Sequence, residues 1–314
     1  MRALRQAALQ VRKSSWTGAL PLVPPIGRWP ARQVCIRHPH EHGTHRNISY
    51  QRKGFVVSLS TFEGKSVLVV GGGARDGIGF ATAQMLAEQG ARIALADLDG
   101  GRVRELVADL PDSERHSAYA LDVTDEAAIA QVVEAVVQHH GAIDGLVVSA
   151  GLYSPESFTA TSRATWDRLF AVNATGAFLV SQTVAKRMVE WGCGRIVLVA
   201  SIGARQPQLT AAAYGASKAA VIQLGRYMAL ELARKNITVN IVCPGSTATS
   251  MMGTDPVRHE IAINGNLAQW RLGIPLGRMA EASDQAAAIT FLLGETGRHV
   301  TGQVITVDGG QSFL

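Results

Sequence analysis

Ser66-Val67-Leu68-Val69-Val70-Gly71-Gly72-Gly73-Ala74-Arg75-Asp76-Gly77-Ile78-Gly79 is the stretch on which the fold turns. An apolar run ends in glycines, and a helical pattern over 78–89 follows, closed by Gly90. Gly73, Gly77 and Gly79 have the spacing G-x3-G-x-G. A tight turn that brings backbone close to a pyrophosphate has no room for a Cβ. The helix N-terminus behind it supplies N–H groups and the positive end of a dipole. A glycine-rich turn alone is a weak signal; between a strand and a helix it points to a nucleotide.

Outward from this turn the chain alternates apolar runs with longer helical patterns. Strands are predicted at 66–70, 92–96, 116–121, 143–148, 195–200, 238–242 and 303–307. Helices are predicted at 78–89, 101–110, 125–140, 162–171, 175–190, 211–235 and 283–293. Asp125 is placed to cap the third helix, and Gly141 to end it. Strands alternating with helices of this length imply an α/β fold of the Rossmann type. That is a doubly wound parallel sheet in a single domain, here over 61–314.

The second predicted strand ends next to Asp97, 18 residues after Gly79. A carboxylate there accepts hydrogen bonds from an adenosine ribose and repels a 2′-phosphate, so it favours NAD over NADP. Arg75 competes as a phosphate partner, offset by its neighbour Asp76. Asp122, after the third strand, suits either an adenine edge or a plain turn before Thr124.

Tyr214 and Lys218 stand four apart at the start of the long helix and share a face. An ammonium beside a phenol favours phenolate, so Tyr214 is expected to titrate below its usual value near ~10. Such a phenol can exchange a proton with an alcohol oxygen. Ser201 lies just past the fifth strand, at the end where open α/β sheets bind ligands. Asn173, between two helical segments, is expected to be an exposed amide that holds a water or a backbone carbonyl.

Together these residues make the chain resemble the short-chain dehydrogenase/reductase family over about 63–314. The Gly73/Gly77/Gly79 loop, Asn173, Ser201, Tyr214/Lys218, Pro244-Gly245 and Val307-Asp308-Gly309-Gly310 stand in the family's order. The resemblance implies an NAD(H)-dependent oxidoreductase that interconverts a secondary alcohol and a ketone. In it Tyr214 is the acid/base, Ser201 holds the reacting oxygen, Lys218 tunes Tyr214 and binds the nicotinamide ribose, and Asn173 completes a proton relay. It adds Asp76, Ile78, Val123, Ala150, Gly151, Pro244, Gly245, Thr247 and Thr249 to the dinucleotide site, Thr249 at the carboxamide. It also implies a homotetramer through helices such as 175–190 and 211–235. Two positions depart from the family: Gly72 replaces a threonine that braces the loop, and Val148-Ser149-Ala150-Gly151 replaces Asn-Asn-Ala-Gly. A dinucleotide sensor without chemistry is the reading from another class; the intact acid/base set argues against it.

Phe170–178, Ala213–220, Pro244–Thr247 and Leu272–277 are similar to the 2,3-dihydro-2,3-dihydroxybenzoate dehydrogenases of the family, whose substrate is a cyclic diol. That subgroup carries Pro-Arg shortly before the catalytic tyrosine, where this chain has Pro207-Gln208. Arg205 or Arg271 would have to supply the guanidinium that suits a carboxylate. A 3-oxoacyl thioester, a sugar or another cyclic alcohol is the alternative substrate.

Charge separates the ends of the chain. The net charge of +5 over 314 residues is the sum of +9 on residues 1–60 and −4 on the rest. Residues 1–60 hold ten basic residues, one acid (Glu41) and five of the eleven prolines, and are expected to be a disordered basic leader. A folded part that is mildly acidic argues against nucleic acid as a partner. No run reaches the ~18 apolar residues of a membrane span. The leader reads as upstream of a start at Val57, or as an amphipathic mitochondrial transit peptide, with Leu4, Ala7, Ala8 and Val11 opposite Arg2, Arg5, Arg12 and Lys13. The expected location is cytoplasmic, or the mitochondrial matrix under the second reading. His38, His40, His42 and His45 can hold a transition metal but read better as part of the disordered tract, so no metal is expected. Cys35, Cys193 and Cys243 match neither a disulfide framework nor a zinc pattern, which suits a reducing compartment.

Overall fold

The computed structural model describes Gln51–Arg52, Phe55–Val56 and residues 62–313. Seven strands form one sheet: β1 Ser66–Val70, β2 Arg92–Asp97, β3 Ser117–Ala120, β4 Gly145–Val148, β5 Gly194–Val199, β6 Ile237–Pro244 and β7 Val304–Val307. Their order is β3-β2-β1-β4-β5-β6-β7, with every pair parallel. This is the doubly wound arrangement expected from the alternation of elements.

Period-two alternation sorts the strand side chains between two layers. Leu68, Val70, Ile196 and Leu198 point to one face, packed with Ile129, Val133, Val180, Val184 and Val221. Those partners come from α3 (Glu126–His140), α5 (Ala177–Trp191) and α6 (Ala212–Leu232). Val67, Val69, Ile93 and Leu95 point to the other face, against Ala83, Leu86, Val103, Leu106, Ile289 and Leu292. These come from α1 (Ile78–Ala87), α2 (Gly100–Ala108) and α8 (Ala282–Leu293). All residues of β1 and β6 are buried, the polar Ser66, Thr238 and Asn240 included, as strands covered on both sides should be. Asp125 accepts the backbone N–H of Ala128 and caps α3 as its position predicts.

Three local features differ from expectation. The helices predicted at 162–171 and 175–190 are α4 (Arg163–Phe170) and α5, joined without a break by a π-helical turn, Ala171–Gly176. A further helix, α7 (Pro256–Asn264), was not anticipated. It buries only Ala262 fully, so it shows no apolar stripe; Asp255 at its N-cap and Pro256 in its first turn were the available signals. Cys243 is a buried free thiol. Within the stretch read as a disordered leader, Gln51–Arg52 pairs antiparallel with Phe55–Val56. The rest of that stretch, with its histidines and candidate transit helix, lies outside the described residues. Among the described residues no helix is long and apolar enough to cross a membrane, and no group of three His, Cys, Asp or Glu side chains is arranged for a metal.

Two histidines are buried in this frame. His116 accepts the Ile93 backbone N–H at its Nδ1 and meets the Pro111 carbonyl at Nε2. His140, 3% exposed, bonds through Nε2 to the Ser117 hydroxyl at 2.6 Å. Burial, reinforced by the charges of His139, Arg92 and His116, pushes the His140 pKa down to about 4. The unfolded chain therefore takes up this proton near pH ~6.5 and the folded chain only near pH 4, so stability is full above pH ~6.5 and falls below it. Urea titrations should show a loss on the order of 2 kcal/mol from this group between pH 7 and pH 4.5. His140→Gln, which keeps a hydrogen-bonding group but cannot titrate there, should flatten that part of the profile.

Candidate active site

The loop between β1 and α1 folds against the end of β4. Gly71 has φ +93°, and a Cβ on it would lie 2.2 Å from the Ala150 backbone nitrogen. A Cβ on Gly79 would lie 2.3 Å from the Gly71 carbonyl oxygen and 2.6 Å from Ser149 Oγ. Glycine is therefore required by contact with the protein itself as well as by any ligand. The Gly73 N–H donates to Asp97 Oδ2 at 2.8 Å, and Leu98 N–H donates to Asp97 Oδ1. Ser149 Oγ lies 3.0 Å from the carbonyl oxygens of both Val70 and Gly71. A hydroxyl thus braces the loop from β4, where a change from the family's asparagine had left that support open.

α1 begins at Gly77, which has no side chain to cap it. Its N-terminus has no side-chain cap, an arrangement that leaves first-turn N–H groups available to an anion. With Asp97 at the end of β2, the residues present fit a dinucleotide. Arg75 is ion-paired with Asp109 and lies over the Phe80 ring. Asp76 accepts from Ser250 Oγ at 3.0 Å, tying the loop to the segment after β6. Asp122 is exposed, and its Oδ1 accepts from both the backbone and the hydroxyl of Thr124, the turn role among its two readings. Val123 is buried beside Gly176. Thr247 is buried, its Oγ1 held between the Gly245 carbonyl and Gln285 Nε2.

A cavity of about 170 Å³ lies at the C-terminal ends of the strands. It brings together Ser201, Tyr214 and Lys218 with Ile78, Gly151, Pro244, Gly245, Thr247 and Thr249 from the predicted dinucleotide set. Asn173 stands behind it. The exposed amide expected there is 1% exposed, because the π turn rotates it inward. Its Oδ1 accepts from Leu152 N–H at 2.7 Å, and its Nδ2 donates to the Leu152 carbonyl and to Ser217 Oγ, both at 3.0 Å. The amide therefore clamps the backbone just after β4. Lys218 Nζ donates to the Val199 carbonyl at 2.9 Å. A Cβ on Gly151 would lie 3.0 Å from Lys218 Nζ and 3.3 Å from Asn173 Oδ1, so this glycine is what lets the two side chains approach.

The electrostatics correct one expectation. Tyr214 does not titrate below its ordinary value: loss of solvation pushes it up to about 12, and the Ser201 hydroxyl opposes this only in part. The same burial lowers Lys218 to about 8, which weakens the ammonium's pull on the phenol. Burial, not the i, i+4 spacing, decides both shifts.

Sequence reasoning missed Tyr153, whose ring meets that of Tyr214 edge-on at 5.0 Å, and Arg258, whose Cζ lies 5.4 Å from the Tyr153 ring centre. Of the two arginines named as possible replacements, Arg271 lines the cavity. Arg205 instead contacts Thr306 Oγ1 and is not part of the lining.

A family model described as enoyl-(acyl carrier protein) reductase matches residues 72–312. The 2,3-dihydro-2,3-dihydroxybenzoate dehydrogenase of Bacillus subtilis is 40% identical over 261 residues, 82% of this chain and 99% of the relative. The enzyme of the same name from Escherichia coli is 37% identical over 80% of this chain and 98% of its own. A 3-oxoacyl-(acyl-carrier-protein) reductase of Thermotoga maritima is 37% identical over 79% and 98%.

The raised Tyr214 value is checked by spectroscopy. Between pH 7 and pH 10, the ultraviolet difference spectrum of the unliganded protein minus Tyr214→Phe should show no phenolate band. A band rising below pH 10 would mean that Lys218 governs the phenol after all.

Proposed function

Because the chain belongs to the short-chain dehydrogenase/reductase family, we propose that it interconverts a secondary alcohol and a ketone with Tyr214 as the proton-transfer group. The observation that carries this is the convergence of Ser201, Tyr214 and Lys218 on one cavity beside the glycine loop. A bound nicotinamide dinucleotide supplies the hydride acceptor or donor. Ser201 holds the reacting oxygen by a hydrogen bond, and Tyr214 takes the proton from that oxygen or returns it. Lys218, which lines the same cavity, binds the nicotinamide ribose. Asn173 keeps the 151–152 backbone in register with the cavity through its clamp on Leu152.

The cofactor in this reading is NAD. Asp97 stands at the end of β2 with its carboxylate turned to the glycine loop, where a 2′-phosphate would meet a negative charge, and Arg75 is occupied by Asp109. The substrate is a small cyclic diol such as 2,3-dihydro-2,3-dihydroxybenzoate, a reading supported by the names of the two relatives above. A homotetramer through α5 and α6 belongs to the same reading, since Phe178, Tyr227 and Leu230 leave large apolar surface exposed on those helices. So does a location in the cytoplasm, where the dinucleotide is supplied.

Tyr214→Phe should bind NAD as the parent does and lose turnover by about 10³-fold, the scale of a lost acid/base group. Undiminished turnover would refute the assignment. With NADP, kcat/KM should be about 100-fold lower than with NAD, and Asp97→Asn, which keeps an acceptor for Gly73, should narrow that gap by about tenfold.

A further inference from the structure

The cavity that holds Tyr214 also holds two guanidinium groups that the proton-transfer chemistry does not use. Arg271 Nη2 donates to Ser246 Oγ at 3.1 Å. Ser246 is fixed in turn by Gln311, which accepts its N–H and donates to its Oγ, and Gln311 is 2% exposed. Arg271 is thus aimed from behind by a buried network. Its Nε is buried without a partner. Arg258, from α7, lies over Tyr153, and the Tyr153 ring in turn meets Tyr214. One aromatic ring therefore separates this charge from the proton-transfer group.

Neither arginine has an acidic side chain within 4.0 Å among the described residues. The acids close by in the chain are engaged elsewhere: Asp255 caps α7 at Val257 N–H, and Asp308 accepts from Gly310 and Ser312. The two cations also repel each other, and burial of Arg271 works against its charge. A partly buried guanidinium beside a second cation and without a counter-ion is costly to hold, and an anion between the two offsets that cost. Tyr153, Gln208, Arg258 and Arg271 line both this cavity and a neighbouring one of about 420 Å³, so the cations stand where the two spaces meet.

We propose that Arg271 and Arg258 seat a carboxylate carried by the substrate, and so select hydroxy acids over neutral alcohols. The proposal rests on the alcohol/ketone reading of Tyr214 and deepens it by naming the substrate's second functional group. A guanidinium offers planar, paired N–H donors that match the two oxygens of a carboxylate. Gln208, where the related subgroup carries an arginine, lies on the same wall without charge.

The test is calorimetric titration of the full chain, saturated with NAD, with benzoate, benzamide and benzenesulfonate. Benzoate should bind at least about 30-fold more tightly than benzamide, and Arg271→Gln and Arg258→Gln should each lose about that factor for benzoate alone. Arg271→Lys should recover part of the loss, since it restores charge but not the fork. Tyr214→Phe should keep the benzoate affinity. Equal binding of benzoate and benzamide would overturn the proposal, as would benzoate affinity unchanged in both arginine variants. Tighter binding of benzenesulfonate than of benzoate would overturn the choice of carboxylate. Arg258 sits on a partly exposed helix, so its variant remains informative if Arg271→Gln fails to fold. The titration reads binding alone, so it stands or falls independently of whether any alcohol is turned over.

Discussion

A parallel sheet covered on both faces has no polar surface except at its two ends, and this constraint organises the molecule. Leu68 and Val70 bury one side of β1 while Val67 and Val69 bury the other, so neither face of that strand can carry chemistry. The chain turns polar where strands stop. Gly71–Gly79 follows β1, Asp97 ends β2, Ser149–Gly151 follow β4, Ser201 follows β5 and Gly245–Thr249 follow β6. All of them stop at the same end because all the strands run the same way. The switch point between β1 and β4, where successive connections cross to opposite faces, opens the crevice between these loops.

Contacts between the loops then hold the crevice in shape. Ser149 reaches back to the carbonyls of Val70 and Gly71, Asp97 fixes Gly73, and Asp76 meets Ser250. Asn173 makes three hydrogen bonds from a buried position, two of them to the same residue, Leu152. A π turn is an uncommon way to continue a helix. Here it points an amide inward at the place where α4 and α5 would otherwise present a regular apolar face.

Burial sets the chemistry as much as residue type does. Tyr214 and Lys218 both lose solvent, and both move toward their neutral forms. Arg271 is affected in the same sense. The cavity therefore disfavours isolated charge on its own side chains, so whatever binds there can be selected by the charge it brings. This is the physical link between the proton-transfer pair and the guanidinium pair across Tyr153.

The amino-acid sequence by itself determined the α/β class, the strand–glycine–helix turn, the alternation of strands and helices along the chain and the likeness to one oxidoreductase family. These follow from periodicity and spacing, which are local properties of a chain. Tyr214 and Lys218 are four apart on one helix, and Gly73, Gly77 and Gly79 lie in one turn, so their proximity needs no knowledge of the fold. The tertiary structure alone decided the rest. It turned Asn173 inward, raised the Tyr214 pKa that spacing alone would lower, gave Asp122 to Thr124, and formed α7 from a segment without an apolar stripe. It also brought Arg258 and Arg271, from the segment after β6, to Tyr153, from the loop after β4. Desolvation and contacts between distant loops depend on what the folded chain places around a group, and no spacing along the sequence records that.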